Sequence, residues 1–121
     1  MQKTILVIDD FSTSLFVIEN TLKTQGYNVL KALSGNEALK FLTGQTIDLI
    51  ITDYNMPVMN GIEFVVKVKQ DQRYVKTPIF ILSTETSQEV KDCARAAGVT
   101  AWIKKPFDIQ KLLKFIEKSF I

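Results

Sequence analysis

Three aspartates, a hydroxyl pair and a lysine pair each stand directly after a short apolar run of this 121-residue chain. Asp9-Asp10 follow Ile5-Leu6-Val7-Ile8, and Asp53 follows Leu49-Ile50-Ile51-Thr52. Ser83-Thr84 follow Ile79-Phe80-Ile81-Leu82, and Lys104-Lys105 follow Trp102-Ile103. If these runs are strands that end at one edge, three carboxylates converge there. At a separation of ~4 Å and an effective dielectric of ~20, each like-charge pair costs about 4 kcal/mol. Such a cluster needs positive charge. A hard divalent cation with oxygen ligands, Mg²⁺ above all, is one source, and an ammonium from the last run is another. A carboxylate held beside a cation, a lysine and a hydroxyl is placed to attack phosphorus, and aspartate is a known nucleophile of covalent phosphoryl chemistry. It needs no general base, being ionised at neutral pH, while metal and ammonium offset charge on the equatorial oxygens.

The elements that must position these groups are legible in the alternation of two patterns. Strand-like runs fall at 4–8, 27–31, 47–52, 78–82 and 100–103, and three of them contain segments apolar at every position. Continuous short runs of this kind suit strands covered on both faces, as in a parallel sheet. Between them lie helical spacings: Leu15, Ile18 and Leu22; Val90, Cys93 and Ala97; Ile109, Leu112, Leu113 and Ile116. Ser34 and Glu37 have capping-box spacing at the start of the second helix. Gly26, Gly44 and Gly98 follow helices where a left-handed cap is expected. The order βα, repeated five times, predicts an α/β domain over residues 1–121 with right-handed crossovers, and function is expected at the carboxyl ends of its strands.

Composition sets the outer bounds. Apolar residues at 46% and charged residues at 23% are ordinary for a soluble globular domain. A net charge of +2 is too slight to indicate nucleic acid on its own, and no DNA-binding domain is expected. No apolar run reaches the ~20 residues of a membrane span, and the start Met1-Gln2-Lys3-Thr4 lacks a signal-peptide layout. The single Cys93 forms no internal disulfide, so a reducing, cytoplasmic setting is expected. With no histidine, histidine-dependent catalysis and the usual zinc sites are excluded. The loop Asp9–Ser14 has no glycine, which disfavours a nucleotide-binding loop.

Taken as a set, Ile8-Asp9-Asp10-Phe11-Ser12-Thr13, Thr52-Asp53-Tyr54-Asn55-Met56-Pro57, Asn60-Gly61, Ser83 and Lys105-Pro106-Phe107 resemble the signature of response-regulator receiver domains. The resemblance spans essentially the whole chain and is greatest to single-domain, CheY-like chemotaxis regulators. It implies a doubly wound, flavodoxin-like five-stranded parallel sheet in the order 2-1-3-4-5. It implies Asp53 as the phosphoacceptor and Asp10 as a direct Mg²⁺ ligand. Asp9 would act through a bound water, and the Asn55 backbone carbonyl would complete the set. Ser83 and Lys105 would contact the phosphoryl group, and Ser83 with Trp102 would form the conformational switch, Trp102 standing where Tyr or Phe is usual. Lys105-Pro106 is expected to be cis. The phosphoryl source is expected to be a histidine kinase or phosphotransfer protein, or a small donor. The signal is expected to leave by contact with a downstream target through the fourth helix, fifth strand and fifth helix, no output domain being expected beyond Ile121. A phosphorelay intermediate is an alternative, as is a degenerate receiver. A small aspartate-based phosphatase is disfavoured because Asn55 replaces its second carboxylate.

Plainer roles compete at several positions. Asp9-Asp10 alone could serve as a turn and helix N-cap, and Ser83-Thr84 could cap the helix near Ser87. Lys104 is expected to be solvated and Cys93 to be a small core residue. Phe107, Phe115 and Phe120 are expected to pack, and Phe16, off the stripe of the first helix, to be exposed.

Overall fold

The computed structural model describes residues 2–121. In chain order the elements are β1 (Thr4–Ile8), α1 (Ser12–Thr24), β2 (Asn28–Ala32), α2 (Gly35–Leu39) and β3 (Leu49–Asp53), then α3 (Gly61–Lys69), β4 (Ile79–Ser83), α4 (Gln88–Ala97), β5 (Ala101–Lys104) and α5 (Ile109–Ser119). All strand pairs are parallel, in the order β2-β1-β3-β4-β5. The strand order reverses at β1, whose two neighbours are β2 and β3, so the crevice above β1 and β3 is where a ligand is expected.

Alternation along the strands divides the core in two. Leu6, Ile8, Ile50, Ile79 and Ile81 face one side with Phe64, Val65 and Val68 of α3. Ile5, Val7, Leu49, Ile51, Phe80 and Leu82 face the other with Leu15, Ile18 and Leu22 of α1 and Leu112 and Ile116 of α5. Every residue of β3 and β4 is buried, as continuous apolar runs require when both faces are covered.

Local chemistry fixes the helix ends. The Ser34 hydroxyl accepts the Glu37 N–H, but the Glu37 carboxylate accepts the Leu33 N–H, so only half of the expected capping box closes. A complete box forms instead between Asn60 and Glu63 at the start of α3. Gly98 ends α4 with φ +110°, the left-handed conformation that favours glycine. On α4 the expected stripe shifts. Ala94 is the buried residue, while Cys93 is exposed, correcting its assignment to the core. Val90 and Ala97 of the expected stripe are half-buried, Ala97 against the core, and Ala94 rather than Cys93, one position and about 100° away, completes their face. Phe115 is likewise about half exposed, its ring edge-on to Phe80, whereas Phe107 and Phe120 pack on the α1–α5 side. Phe16 is exposed, as its position off the stripe implies.

Candidate functional site

The ladder brings the chemical groups together. β1 and β3 run side by side with Ile8 opposite Thr52, so Asp9 and Asp53 emerge at the same edge. Ser83 lies opposite Lys104, and the Lys105 N–H donates to the Ser83 carbonyl at 2.8 Å, setting Lys105 above the end of β4. The Lys105-Pro106 peptide is cis. Carboxylate oxygens of Asp9, Asp10 and Asp53 lie within 4.8 Å of one another, with Asp10 exposed and the other two buried. The Lys105 Nζ is 2.7 Å from Asp53 Oδ1. A pocket of about 180 Å³ is lined by Asp10, Phe11, Asp53, Asn55, Leu82, Ser83, Thr84 and Lys105.

The simple capping reading of Asp9-Asp10 fails on geometry. Phe11 is the N-cap of α1, and no side chain caps that helix. Asp9 Oδ1 instead accepts the Phe11 N–H at 2.9 Å in a short turn, its carboxylate lying with those of Asp10 and Asp53. Ser87, not Thr84, caps α4 by accepting the Val90 N–H. Ser83 Oγ accepts the Glu85 N–H at 2.9 Å, so its acceptor side is occupied and its proton is free to be donated elsewhere.

Burial dominates the electrostatics of Asp53. It pushes the carboxyl pKa up to about 7, with Lys105 opposing the rise and Asp9 adding to it. Although the Lys105 ammonium is close, Asp53 Oδ1 has no donor in hydrogen-bonding alignment; it is the buried side-chain polar atom left without a partner among the described residues. A buried carboxylate charge-paired only with Lys105 and facing two further carboxylates is a donor set for a hard cation. The residues present therefore fit Mg²⁺: Asp9, Asp10 and Asp53 by side chain, with Asn55 on the adjoining loop.

Two supporting contacts escape the motif reading. Thr52 Oγ1 donates to the Asp53 carbonyl at 3.0 Å. Gly61 passes so close to Asp53 that a Cβ there would lie 2.5 Å from the Asp53 carbonyl oxygen, while its own N–H donates to the Tyr54 carbonyl. The Asn60-Gly61 pair marks the position, but only the folded loop reveals that its role is to let α3 begin against the backbone of the acidic residue. Trp102 is half-buried; its Nε1–H donates to the Glu85 carbonyl at 3.0 Å and its ring lies 5.4 Å from that of Tyr54. Lys104 is exposed, as expected.

Comparison with known proteins agrees with this geometry. The model of the response regulator receiver domain family matches residues 5–117. The chemotaxis protein CheY of Pseudomonas aeruginosa is 38% identical over 117 residues, covering 96% of this chain and 94% of that protein. CheY1 of Helicobacter pylori is 42% identical over 115 residues, 93% of each chain. The solved structure of CheY4 of Vibrio cholerae superposes with a TM-score of 0.93 at 40% identity, covering 98% of this chain and 99% of that one. No helix among the described residues is long and apolar enough to cross a membrane. With its parallel 2-1-3-4-5 sheet and its acidic cluster at the switch point, the chain belongs to the response regulator receiver domain family.

Proposed function

We propose that this protein accepts a phosphoryl group on Asp53 from a histidine kinase or a related phosphotransfer protein and signals by phosphorylation-dependent protein contact, in chemotaxis. The observation that carries the reading is the buried Asp53 carboxylate, held between Asp9 and the Lys105 ammonium with one oxygen lacking a hydrogen-bond partner. Asp10, Asp53 and the Asn55 carbonyl would hold Mg²⁺ directly and Asp9 through a bound water, and the ion would supply positive charge to offset the cluster and the equatorial oxygens of the transferring group. Asp53 supplies the electron pair that forms the new O–P bond, and the donor's leaving group takes the pair of the bond that breaks. Lys105 exchanges its partner, from the free carboxylate to a phosphoryl oxygen. Ser83 donates its hydroxyl proton to another, as a charge-assisted hydrogen bond.

That last movement connects the site to a surface. Ser83 holds Glu85 through its N–H, and Glu85 holds Trp102 through its carbonyl, so reorientation at Ser83 is felt at β5. Phosphorylation thereby biases a two-state equilibrium of the α4–β5–α5 face, which is where a downstream target is engaged. Conservative labelling chemistry tests the assignment. With acetyl phosphate and Mg²⁺ the protein gains one phosphoryl group that is labile to base and hydroxylamine, and Asp53→Asn abolishes the gain. Full labelling of the Asn variant at another residue overturns the assignment.

A further inference from the structure

A second cavity adjoins the acidic pocket and differs from it in character. It is an open groove of about 570 Å³ between α1 and the loop after β5, about three times the volume of the acidic pocket. Thr13, Ser14, Val17 and Ile18 form one wall and Pro106 and Phe107 the other, the exposed lining is mostly apolar, and the Asp9 carboxylate stands among the groove's lining residues. Thr84 and Lys105 belong to both cavities, so the groove begins where the phosphoryl site ends. Val17 is more than half exposed, with no neighbouring element to cover it. The opposite flank of the acidic pocket, past Asn55, is a shallow depression lined by Tyr54, Asn55, Met56, Pro57 and Asn60. A group attached to a phosphoryl seated between Asp53 and Lys105 and extending toward α1 meets Asp9 at the groove and then the apolar wall of Val17 and Phe107.

We infer that this groove binds the carbon chain of a small acyl phosphate donor, making the protein selective for acyl phosphates with short apolar chains over acetyl phosphate. The inference rests on the proposed phosphoacceptor role of Asp53. The reaction balances without a further reactant. An Asp53 carboxylate oxygen bonds to phosphorus, the bond from phosphorus to the acyl oxygen breaks, and its electron pair leaves on a carboxylate. One acyl phosphate is consumed and one formed, so no oxidant, reductant or proton is required. Lys105, common to both cavities, pairs with the phosphoryl oxygens while the chain lies against Val17 and Phe107 and the carboxylate product departs to solvent.

Each fully buried methylene favours binding by about fourfold, so the two extra methylenes of butyryl phosphate in a partly open groove are worth about tenfold. The test compares second-order labelling constants for acetyl and butyryl phosphate, at fixed Mg²⁺, in the wild-type protein and in Val17→Asn. Val17 is exposed, so the substitution leaves the core intact. The expected result is a constant about tenfold higher for butyryl phosphate, falling to within about twofold of acetyl phosphate in V17N, with acetyl phosphate labelling unchanged. Equal constants in the wild-type protein overturn the inference. So does a V17N variant that keeps the butyryl preference, or one that slows only transfer from a phosphohistidine protein, which assigns the groove to a protein donor. Failure of both donors to label Asp53 would instead refute the phosphoacceptor reading beneath it.

Discussion

Removing the charge of Asp53 is expected to stabilise the metal-free protein. Burial raises this carboxyl from 3.8 to about 7 despite the Lys105 ammonium at 2.7 Å. A raised acid binds its proton more tightly when folded, so the associated stability is fully present below pH ~4 and is lost as pH rises through about 7. A shift of roughly three units at about 1.4 kcal/mol each sets a ceiling of ~4 kcal/mol at pH 8. Asp53→Asn keeps the shape and an acceptor oxygen but no ionisable group, and Lys105, with about a third of its side chain exposed, remains hydrated. In the presence of a chelator the variant should therefore exceed the wild type by about 2–4 kcal/mol at pH 8, and by less than about 1 kcal/mol at pH 4. Thermal denaturation reads this as a Tm higher by about 10 °C at pH 8 that fades on acidification. A variant no more stable at pH 8, or one whose advantage is the same at pH 4, would refute the argument that burial outweighs the Lys105 pairing.

Three further outcomes follow from particular contacts. Gly61→Ala places a Cβ 2.5 Å from the Asp53 carbonyl oxygen, so it should lose about 1–3 kcal/mol in urea denaturation and slow labelling by acetyl phosphate; wild-type stability would show that the loop yields freely. Lys69 Nζ donates to the carbonyls of Tyr74, Val75 and Thr77, and burial holds its pKa below the usual lysine range. Lys69→Met should cost about 2 kcal/mol while leaving labelling of Asp53 intact, and an unchanged urea midpoint would show that water replaces the ammonium without loss. Because Trp102 is anchored to the loop that Ser83 holds, Mg²⁺ with beryllofluoride should change its emission and Ser83→Ala should suppress most of the change; equal responses in both proteins would uncouple the pair.

The sheet was legible because its strands are short, continuous and apolar, a pattern that only a doubly covered strand produces. β1 falls where the run Thr4–Ile8 places it, and the other strands shift by one or two residues because hydrophobicity does not mark where pairing stops. Ser83 and Asp53 turn out to be the last paired residues of β4 and β3 rather than the first of their loops. α1 and α5 were readable from large aliphatic stripes. On α4 the spacing of Val90 and Ala97 marks the packed side but points to Cys93 rather than Ala94 as the residue between them, since Ala94 and Cys93 are both small and neighbouring. The ion pair of Lys105 with Asp53 could be anticipated from charge alone. The clamp of Gly61 on the Asp53 carbonyl could not, because backbone proximity leaves no trace in side-chain chemistry.

The same arrangement accounts for both the instability and the proposed activity of the site. Desolvation penalises the charged form of Asp53, yet only the ionised carboxylate carries the electron pair that attacks phosphorus. One cation, Lys105, opposes that penalty without cancelling it, and burial keeps the carboxyl pKa raised. On the proposed reading a second cation would be coupled to ionisation: held by Asp9, Asp10 and Asp53, it would draw the carboxyl pKa down and make the nucleophile available near neutral pH. Lys105 would then be released from its role as sole counter-ion and be free to follow the phosphoryl oxygens. Had Asp53 been fully solvated, it would ionise without help, but the cluster would then bind its cation weakly and stabilise little charge in the transition state. On the proposed reading, burial at the β1–β3 switch point would link ionisation of Asp53, cation binding and phosphoryl transfer in a single equilibrium.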